Sequence, residues 1–243
     1  GKSTVDLLHR SKEVNLRCIL TPEHGFRGID EHGKKVTDGR DPKTGLPIFS
    51  LYGETTRPTD SMLSGIDTLV YDIQDVGVRF YTYIATMAQA MEEAAERDLQ
   101  FVVLDRPNPI RGDIMEGDLL DPDIQRMTGY LPIPVRYGLT PAELAVWIKE
   151  THNVKVNLKI IRMKEWKRDL WFDQTYLKFV PPSPNIVDLV GALLYSGIGC
   201  FEATNISVGR GTKKPFHQFG APWIKEKSFV CLPKRAELSW GFV

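Results

Sequence analysis

The chain has no run of apolar residues approaching the roughly 18 that a membrane-spanning helix needs. It has no surplus of charge either: 31 basic residues stand against 31 acidic ones, so no global field draws it to nucleic acid or to an anionic membrane. Lys213-Lys214 is too short to act as a polybasic tail. Cysteine is scarce. Cys18, Cys200 and Cys231 show no metal-ligand spacing and cannot all pair, and Cys18 and Cys200 sit in apolar runs that suit buried thiols better than a disulfide. GxGxxG and GxxxxGK[ST] are both missing, and GRGTKK at 209–214 has the wrong spacing to cradle a phosphate. Nucleotide hydrolysis is therefore set aside, and a sugar-phosphate-binding α/β domain loses its main signature. HExxH, GxSxG and paired CxxC do not occur, which removes zinc proteases and serine hydrolases. No internal repeat, low-complexity linker or signal peptide is visible.

What is present is a globular pattern. The 243 residues are 42% hydrophobic and 26% charged, enough for one large domain, or one domain and part of another. Short, nearly continuous apolar runs at Leu16–Leu20, Ile48–Leu51, Thr68–Tyr71, Phe101–Leu104 and Val156–Ile161 predict strands of a parallel sheet. Helical spacing predicts helices over Thr4–Lys12, Thr59–Ser64, Tyr81–Arg97, Pro141–His152 and Ile186–Tyr195. In the longest, Ile84, Met87, Ala88 and Met91 form an apolar stripe with acids and Arg97 opposite. Thr140, Pro141 and Glu143 make a helix start signal. PPSPN at 181–185 reads as a stiff loop, and His9 and His152 as helix-surface residues. Alternating strands and helices predict an α/β fold, Rossmann-like, with a mostly parallel sheet and helices on both faces.

Placed on that map, the polar residues recur at the carboxyl ends of strands, where open α/β sheets bind ligands. Glu23 and His24 follow the first strand, Tyr52 the second, Asp72, Gln74 and Asp75 the third, and Asp105, Arg106 and Asn108 the fourth. TPEHGFRG (21–28), taken alone, reads first as a solvated glycine-rich loop and second as a catalytic turn in which Phe26 and Arg27 pull the acidity of Glu23 in opposite directions. In DIQDVGVRFYTY (72–83) the aspartates either cap a helix or bind hydroxyls and amides. No third ligand at suitable spacing supports a metal, and Phe80, Tyr81 and Tyr83 read as core. In LDRPNP (104–109) the prolines give Arg106 and Asn108 fixed directions, for recognition or for an Asp–Arg brace, and Glu116 adds a loop carboxylate. FEATNISVGRGT (201–212) offers Glu202, Asn205, Ser207 and Arg210 between apolar residues. Glu23 and Glu202 are the paired carboxylates that glycoside hydrolysis uses, one donating a proton to the leaving oxygen. Asp and Asn suit sugar hydroxyls, and Arg suits an anionic sugar.

These stretches, with GLPIFSLYGETTRPT, IPVRYGLTPAELA, PPSPN and PFHQFGAPWI in the same order, resemble the NamZ-type exo-β-N-acetylmuramidases, once a domain of unknown function. The resemblance implies a Rossmann-like domain with a smaller auxiliary domain and removal of terminal N-acetylmuramic acid from the non-reducing end of peptidoglycan fragments. It implies no metal or cofactor, and a periplasmic or secreted setting. On it, Glu23 is the principal catalytic carboxylate and Glu202 the second, as base, nucleophile or hydroxyl ligand. His24, Arg27, Asp72, Asp105, Arg106, Asn108, Glu116, Asn185, Asn205 and Arg210 shape the sugar site, with Arg106 and Arg210 on the lactyl carboxylate. Ala203 stands where the family carries Gly, implying a tighter turn after Glu202. The expected boundaries are residues 1–222 for a catalytic domain without its first strand and 223–243 for the start of an auxiliary one, a chain truncated at both ends. The other reading left open is a non-catalytic muropeptide- or sugar-binding α/β module.

Overall fold

A computed structural model of the chain describes residues 3–23, 26 and 38–225; His24, Arg27 and Cys231 lie outside the described residues. The order of elements is α1 (Thr4–Arg10), β1 (Ile19–Thr21), β2 (Gly39–Arg40), β3 (Pro47–Ser50), α2 (Asp60–Leu63), β4 (Thr68–Tyr71), α3 (Tyr83–Glu96), β5 (Gln100–Leu104), α4 (Pro141–Thr151), β6 (Asn157–Ile161) and α5 (Leu189–Ile198). Among the described residues the strands form two three-stranded sheets, β1-β3-β2 and β4-β5-β6. β1 runs parallel to β3, pairing Thr21 with Ser50. β4, β5 and β6 are all parallel, pairing Tyr71 with Val103 and Leu104 with Ile161. Parallel pairing makes the carboxyl ends of neighbouring strands coincide, so Tyr52 comes beside Glu23, and Asp72 beside the segment after β5. β2, antiparallel to β3, was not expected; a Gly-Arg pair carries no apolar signal.

The mixed α/β architecture with a parallel sheet agrees with the sequence reading. Phe101 and Val103, alternate residues of β5, are buried against Met87, Met91 and Ala94 of α3 and Leu144 and Ile148 of α4. Burying each such side chain contributes about 1.5–3 kcal/mol before entropic costs. α3 and α4 lie on this face of β4-β5-β6. Val70 and Ile161, in register with residues of the opposite face, are exposed.

α3 is enclosed more fully than its apolar stripe predicts, for Gln89 and Glu93 are buried as well. Glu93 tolerates burial because it is paired twice, with Arg57 Nη1 at 3.0 Å and Arg97 Nη1 at 2.6 Å. Arg57 also reaches Glu92 at 2.6 Å and the Tyr130 hydroxyl at 2.8 Å. The expected solvent-facing acids are thus the anchor of the 51–59 loop. α5 begins three residues later than expected. Asp188 caps it by accepting from the Gly191 N–H at 2.7 Å, while Ile186 is buried in the preceding turn. Ile186, Ala192 and Tyr195 join Val76, Val78, Tyr81, Tyr83, Ile110, Val208 and Phe216 in a second core. Cys18 and Cys200 are free thiols, Cys18 half-buried; Cys200, expected inside, is exposed in the 3₁₀ turn Gly199–Ala203.

α4 starts where the sequence places it. The Thr140 hydroxyl accepts from the Glu143 N–H at 3.2 Å, the Glu143 carboxylate accepts from the Thr140 N–H at 2.9 Å, and Pro141 fills the first helical position. The same hydroxyl donates to Asp105 at 3.2 Å. Thr140→Ala removes both contacts and is expected to destabilise the fold by about 1–2 kcal/mol. Thr140→Ser should restore most of the loss. Urea unfolding of the two variants checks this.

Candidate functional site

Glu23 lies two residues beyond β1 and is only 4% exposed. Its carboxylate accepts from the Thr82 hydroxyl at 3.1 Å and is hydrogen-bonded by the Tyr52 hydroxyl. Thr82 stands at the cap position of α3, yet it adopts helical angles and makes no cap bond. Its hydroxyl turns to Glu23 instead. Partial burial raises the pKa of Tyr52, and the adjacent Glu23 charge raises it further. Tyr52 therefore stays a neutral donor, and Glu23 is held as a fixed, hydrogen-bonded carboxylate.

Asp75 occupies the loop after β4 and is 2% exposed. Its Oδ2 accepts from the Tyr137 hydroxyl and, at 2.6 Å, from the Gly77 N–H, whereas Oδ1 has no partner among the described residues. Burial lifts its pKa from 3.8 to about 6, against the lowering pull of those hydrogen bonds. Gly77 is required here: its φ is +81°, and a Cβ would come within 2.4 Å of Asn108 Oδ1. Asp75 is surrounded by tyrosines, and its charge acts on Tyr71, Tyr81, Tyr83, Tyr137 and Tyr195.

Glu202 lies in the 3₁₀ turn after α5 and is exposed. Arg210 Nε donates to it at 2.5 Å, and the guanidinium carbon sits 5.1 Å from the Phe216 ring centroid. Glu23 and Glu202 come from opposite ends of the chain, but both charges act on the Tyr195 hydroxyl, whose pKa is raised first by burial and then by Glu202. The Arg210 charge acts on the same hydroxyl in the opposite sense. Arg106 and Asp72 form a second pair, with Arg106 Nε donating to Asp72 Oδ1 at 2.7 Å.

Other expected contacts are taken up by the framework. Asp105 Oδ1 accepts from the N–H groups of Arg106 and Ala142 at 3.0 Å each, bracing the α4 start, so the expected Asp–Arg brace of this loop runs through the backbone. Asn108 is buried, donating to the Leu139 carbonyl at 2.9 Å and accepting from the Ile110 N–H at 3.1 Å. Glu116 pairs with the buried Arg136 at 2.8 Å across an isolated antiparallel bridge. For these three the local backbone claims the polar atoms expected to meet a ligand. Asn185 and Asn205 make no side-chain hydrogen bond among the described residues, and Asn205 is exposed. Sequence reasoning passed over Thr82, Tyr137 and Tyr195. Nothing local marks Thr82 or Tyr195, whereas a buried carboxyl at Asp75 would have called for a donor such as Tyr137.

Described geometrically, this is an α/β protein with buried and paired carboxylates gathered at strand ends and against a tyrosine-rich core. The family model described as Exo-beta-N-acetylmuramidase NamZ, N-terminal, matches residues 1–190, and its C-terminal counterpart matches residues 193–239. The chain belongs to this family. It is 48% identical over 224 residues to the peptidoglycan β-N-acetylmuramidase NamZ of Bacillus subtilis (strain 168), covering 92% of this chain and 54% of that protein. Two crystal structures of DUF1343 family proteins from Bacteroides fragilis NCTC 9343 share its fold. One has a TM-score of 0.84 at 44% identity, covering 93% of this chain and 58% of that one; the other has 0.78 at 37%, covering 91% and 58%. The chain thus spans somewhat more than half the length of these relatives. The two family models meet between residues 190 and 193, within α5, where the sequence reading draws a boundary at 222.

The Asp75 carboxyl gives the fold a pH signature. It holds its proton more tightly folded than unfolded, so unfolding releases a proton between pH 3.8 and about 6. Its stabilising contribution is full below pH 3.8 and is lost as pH rises through about 6. Asp75→Asn removes this loss. Relative to the unaltered chain, the variant should gain about 3 kcal/mol at pH 7 compared with pH 3.5, read from urea unfolding at the two pH values.

Proposed function

We propose that this chain carries the principal catalytic carboxylate of an exo-β-N-acetylmuramidase, acting on the non-reducing end of peptidoglycan fragments in the periplasm or outside the cell. The observation that carries the reading is Glu23: a carboxylate almost closed to solvent, at a strand's carboxyl end, gripped by two hydroxyl donors. The 48% identical Bacillus subtilis relative bears the name of that activity, and Glu23 lies in the stretch that carries the family resemblance.

In this reading Glu23 performs acid–base chemistry at the glycosidic oxygen. Thr82 and Tyr52 fix its direction and supply or withdraw hydrogen-bond density as its charge changes. Glu202 is the second carboxylate, acting on water or on a sugar hydroxyl. Its pairing with Arg210 fixes its direction. Guanidinium groups carry more donors than one carboxylate satisfies, so Arg210, and Arg106 beside Asp72, retain N–H groups for the lactyl carboxylate of muramic acid. His24, Arg27, Asn185 and Asn205 complete the sugar contacts. Asp105, Asn108 and Glu116 support the loops that present them.

A chromogenic N-acetylmuramide, set against the matching N-acetylglucosaminide, tests the reading. The chain should release the chromophore from the muramide alone, and Glu23→Gln should slow release by roughly 10²–10⁴-fold while leaving sugar affinity in place. Equal rates on both glycosides, or none on either, would remove the muramidase reading. Binding without turnover by the unaltered chain would instead favour a non-catalytic sugar-binding module.

A further inference from the structure

Tyr195 is held on α5 by three edge-on aromatic contacts. Its ring centroid lies 4.9 Å from that of Phe80 at 82°, 4.6 Å from Phe216 at 67° and 6.2 Å from Tyr81 at 88°. Gly199 makes room for this arrangement. A Cβ there would stand 2.6 Å from Phe80 Cε2 and 2.9 Å from Tyr195 Cε2. The ring is therefore fixed with little freedom, which is what a recognition group requires.

Three tyrosine hydroxyls around this core have hydrogen-bond acceptors. Tyr71 donates to the Tyr83 carbonyl at 3.3 Å, Tyr83 to the Pro182 carbonyl at 2.8 Å, and Tyr137 to Asp75. The Tyr195 hydroxyl makes no hydrogen bond among the described residues, and it is not among the side-chain oxygens sealed from solvent. The residue as a whole is 7% exposed. Buried hydroxyls are ordinarily paired. Here a rigid ring holds an unpaired one that is not sealed from solvent, and the charges of Glu202, Arg210, Glu23 and Asp75 act on it.

We propose that Tyr195 is a substrate-contacting residue whose hydroxyl donates a hydrogen bond to a neutral oxygen of the sugar, a hydroxyl or the acetamido carbonyl, between Glu23 and Glu202. The proposal rests on the sugar-site reading above. Burial and the three carboxyl groups keep the phenol protonated, so it serves as a donor. The same carboxyl groups disfavour an anionic acceptor at this point, which leaves the lactyl carboxylate to the arginines.

N-acetylmuramic acid binding to this chain, followed by NMR titration, tests the proposal. Tyr195→Phe keeps the ring contacts and removes only the oxygen. It should weaken binding about tenfold, the size expected for one hydrogen bond, with the melting temperature unchanged or raised because no internal bond is lost. In the unaltered chain labelled with 13C at tyrosine Cζ, the Tyr195 resonance should shift on saturation with the sugar, a measurement that does not depend on the variant's folding. Unchanged affinity in Tyr195→Phe, a fall in affinity matched by a fall in melting temperature, or a stationary Cζ resonance would overturn the assignment while leaving the sugar site standing. Failure of the unaltered chain to bind the sugar would overturn the site reading and this proposal together.

Discussion

A carboxylate taken out of water must be met by donors, and the Thr82 hydroxyl 3.1 Å from Glu23 is where this protein meets that demand. The bond joins the end of β1 in one sheet to the first turn of α3, the helix packed on the other. Thr82 gives up its ordinary capping bond to make it, and Tyr52 closes in from the end of β3. Three segments remote in sequence are thereby fixed around a single charge. The loops at the strand ends take their positions from this junction, because parallel strands deliver them to the same edges and the Glu23 contacts hold the edges together.

Two kinds of polar cluster coexist in the molecule. Around α3, Arg57, Arg97, Glu92, Glu93 and Tyr130 satisfy one another, and the effect is to clamp a loop on a helix. Around the second core the accounting is left open: Asp75 Oδ1 and the Tyr195 hydroxyl lack partners among the described residues. Local rules of polar satisfaction are broken where function resides more often than elsewhere.

The family models meet at residues 190–193, yet the packing does not stop there. Ala192, Tyr195, Val208 and Phe216 lie in the same core as Val76, Val78, Tyr83 and Ile110. The segment matched by the C-terminal family model is thus built into the wall that the preceding loops form. This is why Glu202 and Arg210, late in the chain, come within electrostatic reach of a tyrosine that also senses Glu23.

The alternation of short apolar runs with helical spacing determined the α/β class, and β4 was legible to the residue because a continuous TLVY run between polar flanks has few other uses. The capping box of α4 was legible for the same reason: its residues act within one turn, and local chemistry is written locally. The positions of Glu23, Asp72 and Arg106 at strand ends followed from strand order alone. What tertiary structure decided was the company each side chain keeps. Asp105 and Asn108 look like ligand contacts in sequence, but the backbone of neighbouring loops takes their polar atoms. Tyr195 carries no local signal, but the charges of Glu202, Arg210, Glu23 and Asp75 all act on its hydroxyl. A residue's hydrogen-bond partners and local dielectric depend on segments a hundred residues away or more. No window along the chain contains them, so the framework could be read from the sequence while its electrostatics waited on the fold.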